Sequence, residues 1–270
     1  MSVTIEVKNI KKVYLQQSAK AGWQRFLGGK ATGSKLVALD KFNVTIPAGS
    51  FTTIFGPNGS GKSTLFRLIA GLDEPTSGSV TINNKPVQQA RIGFVFQNYR
   101  DSMLVWRTAV GNVRLALEAR GVEVSKQDKM ARKYLKRVGM AHIADKPFYS
   151  LSGGQAQLVS IARAFAFEPD ILLMDEPFSA LDFQTSLGMM ETLTRLWQET
   201  HITTLFISHD IDEAVFLADQ VIVLTKNPGR VQKIVPVKLP RPRQVSLISD
   251  KAFFTIRTRV LKEFDKGSKW

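Results

Sequence analysis

Cysteine is absent from this 270-residue chain, which excludes disulfide staples and every thiolate metal site and fits a reducing compartment. Long apolar runs are absent too; none approaches the roughly 20 residues that a membrane-spanning helix needs. The most apolar stretches, residues 171–174 and 221–224, have the length and branching of buried strands. The opening Ser2-Val3-Thr4-Ile5-Glu6-Val7-Lys8 has neither the basic start nor the apolar middle of a signal peptide, and its alternation predicts a strand. Acids are scarce: 23 Asp and Glu stand against 37 Lys and Arg, a net charge of +14. The imbalance is local. Residues 226–270 hold twelve Lys or Arg and three Asp or Glu, while residues 16–35 hold Lys20, Arg25, Lys30 and Lys35 with no acid. Such surfaces serve an anionic membrane face or plain solubility, with nucleic acid the third option.

What is present is ordinary for a globular chain, 44% apolar and 22% charged residues, in a length that permits a large core. No internal repeat is visible. Strand and helix patterns alternate, as in a mostly parallel sheet wrapped by helices. A β-rich opening covers residues 3–8, 37–46 and 50–55. A helix starts inside a glycine-rich loop and ends near Ala70, before Gly71. Strands are expected near 79–82 and 92–96, and again at 171–174, 203–207 and 220–224. Between them, from about 98 to 167, the pattern is helical, as at 128–138 and 155–167, so a helical block interrupts an α/β core. Residues 19–34, glycine-rich and polar, read as an inserted loop. Pro240-Arg241-Pro242-Arg243 reads as a linker to a final helix over 249–264, whose Phe253, Ile256, Val260, Leu261 and Phe264 share one face and call for a surface to dock on.

Gly56-Pro57-Asn58-Gly59-Ser60-Gly61-Lys62-Ser63-Thr64 follows an apolar strand and opens a helix, the setting of a phosphate-binding loop. Glycines let backbone N–H groups turn inward around phosphates, and the helix start adds the positive end of its dipole. Lys62 has the reach for the β- and γ-phosphates of ATP, and the Ser63 hydroxyl suits Mg²⁺. The flanking strand and helix distinguish the loop from a plain glycine-rich turn. Residues 171–174 run into Asp175-Glu176. A buried parallel strand delivers its C-terminal residues to the ligand crevice, which suits Asp175 to a Mg²⁺ shell and Glu176 to polarising a water. Acids commonly end strands, and only the glycine loop makes this pair the second half of one site. Leu151-Ser152-Gly153-Gly154-Gln155 precedes a helical stretch. An ordinary N-cap by Ser152 and a second anion-binding helix start fit those residues equally.

Together these elements resemble the nucleotide-binding subunits of ATP-binding-cassette (ABC) transporters over about residues 3–240. They stand in that family's order: Tyr14, the phosphate loop, Gln97, the 151–155 signature, Asp175-Glu176, Ser179-Ala180-Leu181-Asp182 and His209. The resemblance implies an α/β fold, a P-loop NTPase (RecA-like) core with an N-terminal antiparallel β region and an inserted helical subdomain at about 98–167. The ATPase domain is then 1–240, and 241–270 is a basic C-terminal extension with an amphipathic helix. It further implies that Tyr14 stacks on adenine, that Glu176 is the catalytic carboxylate, and that His209 contacts the γ-phosphate. Gln97 links Mg²⁺ and the attacking water to the transporter interface, and Asp182 belongs to a loop that communicates between subunits. The implied metal set is Ser63, Gln97 and Asp175. Ser152, Gly153, Gly154 and Gln155 would close over ATP held by a second nucleotide-binding subunit, the same chain or a related one. On the residues alone, Tyr14 also reads as a strand-end aromatic, His209 as a structural junction histidine, and Gln97 as a polar strand end. His142 and His201 match no motif position.

Two segment pairs resemble the importer group for nitrate, sulfonate, taurine, bicarbonate and pyrimidine-type solutes. One is Phe96-Gln97-Asn98-Tyr99 with Trp106-Arg107-Thr108; the other is Asn227-Pro228-Gly229-Arg230-Val231 with Leu239-Pro240-Arg241-Pro242-Arg243. This implies a peripheral subunit on the cytoplasmic face of the bacterial inner membrane. Permease subunits would dock near residues 99–107, on Tyr99, Leu104, Val105 and Trp106 with Arg107 nearby, and a periplasmic or lipid-anchored substrate-binding protein would complete the system. Nucleic acid is not expected as a partner. Trp106 as a core residue is the competing reading. Three departures stand out: Leu158 where many relatives carry arginine, Val105 where the group often has proline, and the 19–34 insertion. The other function classes are a soluble ABC ATPase acting on nucleic acid or an assembly machine, supported only by the basic tail, and an exporter ATPase.

Overall fold

The computed structural model describes residues 2–16 and 34–268. Apart from Ser34, the insertion expected at 19–34 lies outside the described residues, as do Met1, Lys269 and Trp270. Strand β1 (Ile5–Gln16) buries Ile5 and Val7, and then Ile10 rather than residue 9. An irregularity between Val7 and Ile10, with Asn9 at φ 49°, adds the extra residue that returns Ile10 to the inner face. β1 pairs antiparallel with β2 (Ser34–Ile46) on one side and β4 (Ser77–Ile82) on the other, with β5 (Lys85–Pro86) beyond, in the order β2-β1-β4-β5.

The second sheet has the order β10-β9-β3-β8-β7-β6. Its strands are β3 (Phe51–Phe55), β6 (Ile92–Val95), β7 (Ile171–Asp175), β8 (Thr203–Ser208), β9 (Gln220–Leu224) and β10 (Val231–Pro236). All neighbours are parallel except the edge pair β10 and β9. Every residue of β3 and β8 is buried, as expected of central parallel strands with both faces covered. The third part of the β-rich opening therefore leaves the N-terminal sheet and enters the middle of this one.

Helix α1 (Lys62–Ile69) lies between the sheets, its Leu65, Phe66, Leu68 and Ile69 in one core with Ile5, Phe42, Ile54 and Leu205. The helical block consists of α2 (Ala109–Ala119), α3 (Val124–Arg137) and α4 (Gly153–Ala166). With α5 (Phe183–Thr200) and α6 (Ile211–Leu217) it shares the larger core, on the other face of the parallel sheet. The fold is thus a P-loop NTPase core with an antiparallel β region and an inserted helical subdomain. The last helix, α7, runs Lys251–Ser268 rather than 249–264, and the surface it docks on is this chain's own α6, β9 and β10. Phe253 and Val260 are fully buried there, with Ile256, Leu261 and Phe264 half-buried beside them. Among the described residues no helix is long and apolar enough to cross a membrane.

Candidate nucleotide site

The C-terminal ends of β3, β7 and β8 bring three sequence segments to one edge of the sheet, where open α/β folds take ligands. From β3 comes the phosphate loop. Gly59 and Gly61 turn it with φ of 79° and 83°, in the left-handed region glycine tolerates. Gly61 is doubly constrained, because a Cβ there would lie 2.6 Å from Leu39 Cδ2 and 2.9 Å from the Ala38 carbonyl. Lys62 is 6% exposed and donates from Nζ to the carbonyls of Gly56 at 2.9 Å and Pro57 at 3.2 Å. Burial lowers the proton affinity of its ammonium below the ordinary lysine value, against the pull of Glu176 and Asp175.

β7 ends in Asp175, which accepts a hydrogen bond from the Ser63 hydroxyl. Burial raises its pKa above the ordinary carboxylate value and Glu176 adds repulsion, while Ser63 and Lys62 pull the other way. Glu176 has φ 44°, rare for a residue with a side chain, and its N–H donates to the Ile207 carbonyl at 3.0 Å. Backbone in that region persists only where the surroundings impose it, here by tying Glu176 to β8. The carboxylate then faces two partners: Gln97 Nε2 donates to Oε2 at 3.3 Å, and His209 Nδ1 lies 3.1 Å from the same oxygen. Gln97, Glu176 and His209 therefore meet although 79 and 33 residues separate the first and third from the second.

His209 is anchored by its neighbours. Ser208 Oγ accepts from the Asp210 N–H at 2.9 Å and donates to Glu213 Oε2 at 2.6 Å; Asp210 caps α6 by accepting from the N–H groups of Asp212 and Glu213. Burial pushes the Glu213 carboxyl up to about 7; Asp210 and Glu176 reinforce the shift, whereas Ser208 and His209 oppose it. Glu213 was missed in the sequence, although Asp210-x-x-Glu213 has the spacing of a helix-capping box.

The other expected residues have partners of their own. Tyr14 donates its hydroxyl to Asp73 Oδ2 at 2.9 Å, and the Lys12 ammonium sits 4.9 Å from its ring centre. Ser152 caps α4, accepting from the Gln155 N–H at 3.3 Å, while Gln155 Oε1 accepts from the Ser152 N–H at 3.1 Å. Ser152 and Gly153 are exposed, and a Cβ on Gly154 would lie 3.0 Å from Thr185 Cγ2. Thr185 is bound to Asp182 through its N–H at 2.9 Å and its hydroxyl at 2.6 Å, bonds that hold the Asp182 carboxyl below its ordinary range. The signature thus neighbours the helix that Asp182 caps. Leu158 packs half-buried on the main core.

After Gln97 the chain turns into a loop held by Asn112, which is fully buried and bonded to the Leu104 N–H and to the Leu104 and Thr108 carbonyls. Tyr99 packs edge-on to Phe148, ring centres 5.9 Å apart, while Val105 and Trp106 are 41% and 75% exposed. Tyr149, also 75% exposed, is tied to the same loop by the Phe148 N–H bond to the Arg107 carbonyl at 2.9 Å. Tyr149 was not foreseen, since a Phe-Tyr pair does not announce which ring is buried.

A phosphate loop, an Asp-Glu pair and a histidine on neighbouring parallel strands define a nucleotide-hydrolysing P-loop cassette. The profile of the family described as ABC transporter matches residues 39–179, and the chain belongs to that family. It is 40% identical over 263 residues to the uncharacterized ABC transporter ATP-binding protein MJ0412 of Methanocaldococcus jannaschii, covering 97% of this chain and 91% of the relative. It is 40% identical over 234 residues to the aliphatic sulfonates import ATP-binding protein SsuB of Bacillus licheniformis, covering 86% and 88%. The dimeric post-hydrolysis structure of the cassette MJ0796 bound to ADP and Pi superposes with a TM-score of 0.71 at 31% identity, over 87% of this chain and 100% of that one. The chain is accordingly a nucleotide-binding ATPase subunit of a transporter.

Proposed function

We propose that this ATPase drives an importer for small anions of the sulfonate, nitrate, taurine or bicarbonate type, from the cytoplasmic face of the membrane. The observation that carries the reading is the exposure of Val105 and Trp106 on the loop that begins at Gln97, with exposed Tyr149 on the turn bonded to that loop. A permease seated there reaches, through Gln97, the carboxylate that hydrolysis depends on. The solute class rests on the similarity to SsuB.

In this reading the backbone of the phosphate loop and Lys62 bind the β- and γ-phosphates, and Tyr14 faces the adenine. Ser63, Asp175 and Gln97 offer oxygen donors only, and the Ser63–Asp175 bond already holds two of them together, a set that fits Mg²⁺. Bound there, the metal would neutralise phosphate charge as phosphoryl transfer proceeds. Glu176 orients a water and takes its proton while the water oxygen bonds to the γ-phosphorus and the bond to ADP breaks, giving ADP and phosphate. The contact of His209 Nδ1 with Glu176 Oε2 at 3.1 Å holds the ring where it can meet the γ-phosphate. Asp182 and the 152–155 helix start, exposed at Ser152 and Gly153, complete the site of a second copy, so the working unit is a dimer. The test is transport itself. With its permease and a substrate-binding protein in proteoliposomes, the chain should support ATP-driven uptake of an alkanesulfonate or similar anion; ATP-driven efflux, or indifference to the binding protein, overturns import.

A further inference from the structure

Helix α6 has seven residues and follows directly on His209-Asp210. A helix that short does not hold itself in place. The C-terminal segment grips it at both ends. The carbonyls of a last helical turn lack donors within the helix. Here Arg243 Nη1 donates to those of Val215 at 3.3 Å, Phe216 at 2.5 Å and Ala218 at 2.8 Å. Arg241 Nη2 donates to the Leu217 carbonyl at 2.7 Å and to Asp219 Oδ1 at 2.8 Å, with its guanidinium 4.2 Å from the Trp197 ring centre. Arg243 is 3% exposed, a cation at the end of the helix dipole that favours one. The stretch 240–243, expected as a linker, is thus an anchor.

At the other end, Arg257 on α7 binds Asp212 Oδ1 through Nε at 2.6 Å. Asp212 lies in the first turn of α6, three residues past His209. Ile248, between the anchor and α7, lines a cavity of about 260 Å³ whose wall includes His209, Asp210 and Glu213. Further along α7, Phe264 packs on Phe55 with ring centres 5.1 Å apart, and Phe55 is the residue before Gly56 of the phosphate loop. His209 itself is 57% exposed, so the burial of its own ring does little to place it.

We propose that the segment 240–264 is a positioning device for hydrolysis, in which Arg257 sets His209 against Glu176 by holding Asp212 while Arg241 and Arg243 fix the far end of α6. The inference rests on the catalytic role proposed for His209. Small misplacements of a reacting constellation cost large factors in rate without weakening ground-state binding. The experiment uses the full chain with Arg257→Ala, Arg257→Lys, His209→Ala and the Arg257→Ala/His209→Ala double variant, reading kcat, KM for ATP and Tm. Arg257→Ala is expected to lower kcat about tenfold with KM and Tm near wild type. Arg257→Lys restores most of the rate, and Arg257→Ala adds no further loss once His209 is gone. Wild-type turnover in Arg257→Ala beside a dead His209→Ala overturns the device and leaves the histidine's role standing. Equal losses with and without His209, or a parallel fall in Tm that lysine does not rescue, also overturn it. Full turnover in His209→Ala defeats the catalytic assignment first.

Discussion

Glu213 is a carboxyl whose folded environment resists ionisation, since burial and the nearby Asp210 and Glu176 hold its pKa at about 7 against an ordinary 4.5. The folded chain therefore binds more protons here than the unfolded one across the interval between those values. Stability contributed by the neutral form is complete below about 4.5 and is lost as pH rises toward 7. Glu213→Gln cannot ionise yet keeps an oxygen for the Ser208 hydroxyl. Its Tm should fall less than the wild-type Tm between pH 5 and pH 7, as read by thermal denaturation in matched buffers. Parallel curves would mean that Glu213 is ionised throughout. The same carboxyl is bonded to Ser208, the residue before the exposed His209 of the candidate site.

The loop between Gln97 and α2 shows how an element can be rigid in its backbone and open in its side chains. Asn112 clamps both ends of the turn at Leu104 and Thr108, and Arg163 of α4 donates to the Ser102 carbonyl at 2.5 Å and the Ser102 hydroxyl at 2.9 Å. Arg163 is half-buried, and desolvation lowers its proton affinity below the ordinary arginine value, so its bonds to Ser102 are partly sheltered from water. Through it the loop is joined to the helix that starts at the signature. Trp106 takes no part in this scaffold, which argues against reading it as core. Trp106→Ala should leave the isolated subunit's stability within about 0.5 kcal/mol and its ATP affinity intact. Co-purification with the permease and transport-coupled turnover should drop sharply. Unfolding of the free subunit, or undiminished coupling, would contradict the docking role.

The signature neighbours the helix that Asp182 caps, and its proposed service to a second copy's phosphate loop makes a demand on the assembly that can be tested. Gly153 has open space where a Cβ would stand, so Gly153→Asp is tolerable in the monomer. In a dimer closed over ATP it would set a carboxylate against the partner's bound phosphates. Glu176→Gln should therefore form an ATP-dependent dimer with turnover reduced about 100-fold or more. Adding Gly153→Asp should abolish that dimer while each monomer still binds ATP. Gel filtration with nucleotide and a binding titration read the two effects separately. A dimer that survives the added carboxylate would remove the signature from the partner's site.

Much of the site was legible in local patterns because its parts are local devices. A phosphate loop needs glycines and a helix start, a strand-end carboxylate needs an apolar strand, and a capped helix needs Ser152 followed by Gln155. Each is written within a dozen residues. Long-range environments were not legible. The arginines of Pro240-Arg241-Pro242-Arg243 look solvated in a list of residues, yet Arg243 is buried on helix carbonyls that lie 25 to 28 residues earlier. Glu213 is one acid among 23 until burial and Ser208 single it out. Whether Phe148 or Tyr149 faces water depends on the turn that bonds Phe148 to Arg107. Chemistry that depends on neighbours in sequence was set by the order of residues. Which groups lose their water, and which helix is held at both ends, was decided only when distant segments packed.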